Sequence, residues 1–248
     1  MNVAGLTAVG KVRNHNEDAI FHIQSKIGSL PNLFIVADGM GGHNAGEVAS
    51  AKSLEYFLEF IHNSKNRTPE DTISLLISAT NHANEMVYAL SLSDPELDGM
   101  GTTLSACVVL DGKLAVAHIG DSRIYTISHD RITQITQDHT YVAKMVQTGH
   151  LTLAEAKTHP NRNQLTHVLG CMPPIDVAGD LHDLNGVSTV LLCSDGLTDM
   201  LSDDEIMDIS SQKSPPAARV QALIGAANNN GGIDNISAII IDVKGETN

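Results

Sequence analysis

Residues 102–110 (TTLSACVVL) and 113–120 (KLAVAHIG) are two apolar runs with only Asp111-Gly112 between them. Two residues cannot carry a chain round to a parallel neighbour, so the runs must pair as an antiparallel hairpin. Asp-Gly suits that turn because its central residues need positive φ, which glycine adopts without steric cost. The same economy recurs at His129-Asp130, between RIYTI (123–127) and RITQIT (131–136). Further strands are expected at about 3–9, 18–24 and 33–37, at 190–195 (VLLCSD) and at 236–243 (ISAIIIDV).

Helical spacing enters between these runs. Residues 44–62 place Val48, Leu54, Phe57, Leu58 and Ile61 on one side, and 69–92 follow as a second helix opened by Thr68-Pro69-Glu70-Asp71. Two short helices joined at Gly149 are expected over 139–159, a helix over 202–212 behind Ser202-Asp203-Asp204-Glu205, and another over 215–228. Strands in adjacent runs with helices inserted in pairs do not make a steady βαβ alternation. They argue for an α+β fold of antiparallel sheets with helices packed outside, in one domain spanning 1–248.

The formal net charge is −14, and no cluster of five or more Lys/Arg offsets it, which argues against binding nucleic acid through its phosphates. The three cysteines, Cys107, Cys171 and Cys193, are odd in number and form no CxxC, as expected of reduced thiols in a cytoplasmic protein. No signal peptide opens the chain and no apolar run is long enough to span a bilayer, so no membrane partner is expected.

Acidic residues recur where apolar segments end. Asp38 follows Leu33–Ala37 and precedes Gly39, Gly41 and Gly42. Asp195 follows Val190–Leu192 and precedes Gly196. Asp121 follows Val116–Gly120, Asp234 precedes the final strand, and Glu17-Asp18 precede AIFHI. Asp-Gly pairs commonly mark turns, and Asp111-Gly112 is read as one. For Asp38, Asp195 and Asp234 the reading is a shared site at one edge of packed sheets. Two unit charges about 4 Å apart repel by about 4 kcal/mol at an effective dielectric near 20, so gathered carboxylates need protons or cations. Hard divalent ions with a preference for oxygen meet that need.

The stretches GKVRNHNEDA, VADGMGGHNAGEVAS, GTT, IGDSRIY, ITQDHT, LLCSDGLTDML and GGIDNIS occur in this order from Gly10 to Ser237. Together they resemble the metal-dependent protein phosphatases, the type 2C class of serine/threonine phosphatases, in their compact bacterial form. The resemblance implies a central β-sandwich of two antiparallel sheets flanked by pairs of helices, with a flap at about 139–169. It implies a pair of Mn²⁺ or Mg²⁺ ions at one end, with Asp38 bridging them. Asp195 and Asp234 would complete the first ion's protein ligands; Glu17 and the Gly39 carbonyl would hold the second, with Asp18 in support. A third, weaker ion would fall to Asp121 and Asp199, beside Asp195.

By the same resemblance, a water or hydroxide between the ions attacks the phosphorus of a phosphoserine or phosphothreonine in a protein, opposing a bacterial Ser/Thr kinase. Arg13 is the expected phosphate clamp, since a guanidinium fork matches two phosphate oxygens; as a surface residue it would pair with Glu17 at i+4 instead. Some family members carry histidine two positions after the bridging aspartate. Met40 stands there, and His43 is the nearest candidate acid for the leaving oxygen, with a metal-bound water as rival. Arg162 is placed either on substrate or in solvent. Thr102-Thr103 are assigned to packing, and neither Ser122 nor Ser194 sits in a nucleophile elbow. A monomer is expected. A phosphoprotein-binding module without turnover and a hydrolase of small phosphate esters are the rivals.

Overall fold

The computed structural model describes residues 1–42, 45–64 and 68–243. Eleven strands and seven α-helices occur among them. β1 (Asn2–Ala8), β2 (Asp18–Ile23) and β3 (Leu33–Met40) precede the helical pair α1 (Ala45–His62) and α2 (Pro69–Ser93). β4 (Gly101–Thr102), β5 (Leu104–Leu110), β6 (Lys113–Ile119), β7 (Arg123–Ile127) and β8 (Ile132–Gln134) follow. Then come α3 (Tyr141–Gln147), α4 (Leu153–Thr158), β9 (Ala178–Asp183), β10 (Thr189–Cys193), α5 (Asp195–Thr198), α6 (Asp203–Ser210), α7 (Pro216–Asn229) and β11 (Ile236–Asp242).

All strand pairs are antiparallel and fall into two sheets. One runs β1-β11-β10-β7-β8; the other runs β2-β3-β5-β6-β9, with β4 attached to β3. The β5–β6 hairpin turns on Asp111 and Gly112, both at positive φ (49° and 71°), as the two-residue connection requires.

Three apolar layers hold the fold. Phe34, Val36, Cys107, Val116, Ile124, Val190, Leu192 and Ile239 fill the space between the sheets. Leu33, Ile35 and Ala37, the alternate residues of β3, pack with Phe57 and Ile61 of α1 and Leu76, Ala79 and Ala83 of α2. Leu191, Cys193, Ala238 and Ile240 pack with Val220, Leu223, Ile224 and Ala227 of α7. Buried on both faces, the central strands read as unbroken aliphatic runs rather than as apolar/polar alternation. The result is a four-layer sandwich, helices–sheet–sheet–helices.

Helix starts follow local chemistry. Thr68 and Asp71 form a capping box for α2, and Ser202 and Glu205 form one for α6, each satisfying otherwise free backbone N–H groups. Ser202-Asp203-Asp204-Glu205 is therefore a cap and first turn.

Three boundaries depart from expectation. β3 continues past Ala37 through Asp38 to Met40, because Gly39 and Met40 pair with Thr102 and Gly101 of β4. β10 stops at Cys193, so Asp195 opens a helical turn rather than ending a strand. β9, with sequence AGDLHD, carries no strand signal; it is held at the sheet edge by its ladder with β6.

Candidate metal centre

Side chains alternate across a strand, so the residues between the sheets can be followed by parity. Phe34 and Val36 lead to Asp38 on β3, Ile20 leads back to Asp18 on β2, Leu192 leads to Ser194 after β10, and Ile239 leads back to Ser237 on β11. At this one end of the sandwich the layer between the sheets turns from aliphatic to polar. Asp18 and Asp38 are direct cross-strand partners in the β2–β3 ladder, so two carboxylates face each other with no covalent or ionic reason to be adjacent.

Each is held differently. The Asp38 N–H donates to Thr103 Oγ1 (2.9 Å), while its carbonyl accepts from Thr102 Oγ1 (2.9 Å) and the Thr103 N–H (2.8 Å). Thr103 Oγ1 also meets Ser122 Oγ at 2.7 Å. Asp18 is only 8% exposed, and its Oδ2 accepts from Ser194 Oγ (2.8 Å) and Ser237 Oγ (2.6 Å). Thr102-Thr103, expected only to pack, clamp the backbone of Asp38, and Ser194 fixes Asp18. Parity from the apolar positions was the signal that would have found Ser194 and Ser237.

Asp195 and Asp234 arrive from the other sheet. The Ser194 N–H donates to the Ser237 carbonyl (3.1 Å), tying the start of α5 to the start of β11. Asn235 then anchors the N-terminal loop: its Oδ1 accepts from the Glu17 N–H (2.8 Å) and its Nδ2 donates to the Val9 (2.9 Å) and His15 (2.8 Å) carbonyls. That brings Glu17 and Arg13 to the same end. Arg13 Nη2 pairs with Asp234 Oδ2 at 2.8 Å, not with Glu17 as its i+4 spacing suggested. Its other donors meet no protein acceptor among the described residues, and its side chain is 49% exposed.

The electrostatics record the crowding. Burial, then the charges of Asp18, Asp195, Asp121 and Asp234, hold the Asp38 carboxyl well above the usual carboxylate range. Burial lifts Asp18 to about 7 against the two serine hydroxyls, and lifts Asp195 to about 6 with help from Asp199 and Asp234, although a hydrogen bond with Asp38 pulls it down. Asp121 is raised well above its ordinary value by burial and by Asp195; Glu17 and Asp199 are raised too, burial first in each. Asp38, Asp121 and Asp195 still show some surface to water.

Among the described residues no three His, Cys, Asp or Glu side chains close around a single point tightly enough to form a ready-made cation cage. The carboxylates instead form a loose ring. Two buried oxygens in it, Glu17 Oε1 and Asp18 Oδ1, have no hydrogen-bond partner. An all-oxygen donor set, uncompensated negative charge and orphaned carboxylate oxygens fit hard divalent cations.

The remaining expected residues lie around this ring. Arg162, in the 139–169 segment, has Nη2 3.8 Å from Asp199 Oδ2. His139 accepts from the Gly120 N–H at Nδ1 (3.2 Å) and lies between the rings of His118 (4.9 Å) and His167 (5.1 Å), fastening that segment beside Asp121. Asp138 fastens its start through Arg123 Nε (2.9 Å) and Nη2 (2.6 Å). His43 lies outside the described residues.

The sequence profile described as Protein phosphatase 2C matches residues 10–223, and the chain belongs to that family. It is 34% identical to the protein phosphatase PhpP of Streptococcus pneumoniae over 99% of each chain. The structure of the serine/threonine phosphatase of S. agalactiae matches with a TM-score of 0.91 at 33% identity, covering 98% of this chain and 99% of that one. The catalytic domain of the protein phosphatase PstP, in complex with two manganese ions, matches with a TM-score of 0.83 at 31% identity over 97% of each chain. Phosphatases of this family use divalent metals.

Proposed function

We propose that this chain is a metal-dependent protein phosphatase that hydrolyses phosphoserine and phosphothreonine in proteins. The observation that carries the reading is the convergence of Asp18, Asp38, Asp195 and Asp234 at one end of the sandwich, from strands and turns up to 216 residues apart (234 − 18), with burial raising Asp18, Asp38 and Asp195. Such a set is poised to trade protons for cations.

In this reading Asp38 would be shared by the two Mn²⁺ or Mg²⁺ ions that the site holds. Asp195 and Asp234 would help hold the first, and Glu17 and the Gly39 carbonyl the second; Asp121 and Asp199 would hold a weaker third. When bound, the ions would supply Lewis acidity that lowers the pKa of a water toward neutrality. The residues do the positioning. Thr102 and Thr103 hold the Asp38 backbone rigid, so its carboxylate does not swing as charge develops. Arg13, steadied at one nitrogen by Asp234, turns its free N–H donors to the phosphoryl oxygens and stabilises their transition-state charge. Arg162 approaches substrate from the flap beside Asp199. His43 donates the proton to the departing serine or threonine oxygen, a general-acid role that imidazoles commonly fill.

β1 pairs with β11, placing both ends of the described chain in one sheet, which supports one catalytic domain with 139–169 as its flap. The three cysteines are free, Cys171 at the surface, as suits a reducing cytoplasm. No described helix is long and apolar enough to cross a membrane. The substrate phosphoproteins would come from a cognate Ser/Thr kinase, with the phosphatase acting as a monomer.

The test is turnover of phosphothreonine peptides after EDTA treatment, with Mn²⁺ or Mg²⁺ added back, beside a nucleotide and a sugar phosphate. Metal-restored turnover of the peptides above the small esters is expected. Metal-independent turnover, or preference for the small esters, would overturn the reading.

A further inference from the structure

α1 starts hard against the end of β3, and Glu17 lies in the seam. A Cβ on Gly46, the second residue of α1, would stand 2.5 Å from Glu17 Oε1, 2.8 Å from Glu17 Cδ and 3.0 Å from the Gly39 carbonyl carbon. A Cβ on Gly39 would stand 2.0 Å from the Gly46 carbonyl oxygen. The overlap at Gly39 is with backbone, which cannot give; the overlap at Gly46 is chiefly with the Glu17 carboxylate, which would have to move aside. Glu17 therefore meets bare backbone twice, its carboxylate at Gly46 and its own carbonyl at Gly39. Glycine weakens a helix relative to alanine, so its presence in the first turn of α1 needs a reason. Gly225 in α7 shows the contrast: a Cβ there would meet nothing within 4 Å.

The contact with Gly46 also sets what the carboxylate can do. The Gly46 N–H faces it from the positive end of α1 and favours its charged form, yet Glu17 Oε1 completes no hydrogen bond. The Gly39 N–H is taken by the Glu17 carbonyl (3.0 Å), which locks the peptide group leading into Gly39.

We propose that Gly46 is a positioning residue of the metal centre. Its missing side chain lets the first turn of α1 lie against both the Glu17 carboxylate and the Gly39 backbone, fixing where the free carboxylate oxygen and the Gly39 carbonyl would meet an ion. This rests on Glu17 and Gly39 being ligands, as proposed above.

A double-mutant cycle over Gly46→Ala and Glu17→Ala tests it, read by thermal melting of EDTA-treated protein and by Mn²⁺ calorimetry, with Gly225→Ala as the helix control. With Glu17 present, Gly46→Ala lowers the melting temperature and weakens one Mn²⁺ binding event roughly 10–100-fold, the scale of lost outer-sphere support. With Glu17→Ala there is room for the methyl. The same substitution then leaves melting unchanged or raised, and Mn²⁺ affinity within about twofold, as at Gly225→Ala. A Gly46→Ala protein that fails to fold while the double variant folds supports the same contact. Equal costs in both backgrounds, or failure of both to fold, would overturn the proposal, since the conflict would then lie with backbone alone. If Glu17→Ala by itself left every Mn²⁺ event intact, the assignment of Glu17 as a ligand would be what failed, taking the metal half of the proposal with it; the melting cycle would still decide the contact.

Discussion

Without metal, this protein should lose stability as the pH rises through neutrality. The cause is the carboxylate ring. Asp18 is lifted from 3.8 to about 7 and Asp195 from 3.8 to about 6, burial first in both. A carboxyl whose folded value is raised holds its proton longer when folded than when unfolded. Its contribution is complete below the unfolded value and is lost as pH climbs through the folded one. His118 works the other way: burial lowers it from 6.5 to about 4, so it destabilises the fold as pH falls across that interval. The window from about pH 6.5 to about pH 8 avoids that opposing effect.

Across this window Asp18 and Asp195 together lose about 1 kcal/mol. Asp38 and Asp121 are also raised, by burial and by their acidic neighbours, and act in the same direction. That loss stands against a typical stability of about 5–15 kcal/mol, and coupling between the groups keeps their contributions from being a simple sum. The assay is urea unfolding in EDTA at the two ends of the window, repeated with excess Mn²⁺. The midpoint should fall with pH in EDTA. It should fall less, or rise, with Mn²⁺, because a cation binds the deprotonated ring. A midpoint that is flat or rises with pH in EDTA, or a slope indifferent to Mn²⁺, would refute the reasoning.

Asp38→Ala and Asp195→Ala should each abolish Mn²⁺-dependent turnover, a loss of about 10³-fold or more, while the metal-free protein keeps its fold. Activity within tenfold of wild type in either would remove it from the centre. Arg13→Lys should cost about 10²-fold in kcat/KM, because lysine keeps the charge but loses the fork that serves Asp234 and phosphate together; equal kinetics would take Arg13 off the substrate. Away from the site, Arg219 of α7 is buried, pairing with Asp242 and donating to the Ser210 carbonyl at 2.7 Å. Asp242→Ala strands that guanidinium and should cost about 3–5 kcal/mol by urea unfolding, with turnover per folded molecule unchanged; a loss under about 1 kcal/mol would show that the remaining partners suffice.

Local chemistry by itself determined much of this protein. Asp111-Gly112 forces a hairpin because no other path closes in two residues. Thr68 and Ser202 start helices because free N–H groups need acceptors. The aliphatic runs at 33–37 and 190–193 must be strands buried on both faces. The ordered motifs from Gly10 to Ser237 carry the family and its expected ligands. Tertiary structure alone decided that Arg13 meets Asp234, 221 positions away, rather than Glu17 four positions away. It alone decided that AGDLHD is a strand, since an edge ladder supplies what its composition lacks. It also decided that Gly46 must be bare, and that Ser194 and Ser237 bind Asp18. Those contacts depend on register between strands and on a helix meeting a strand end. Both are set by the packing of whole layers, a global free energy to which no single stretch of sequence has access.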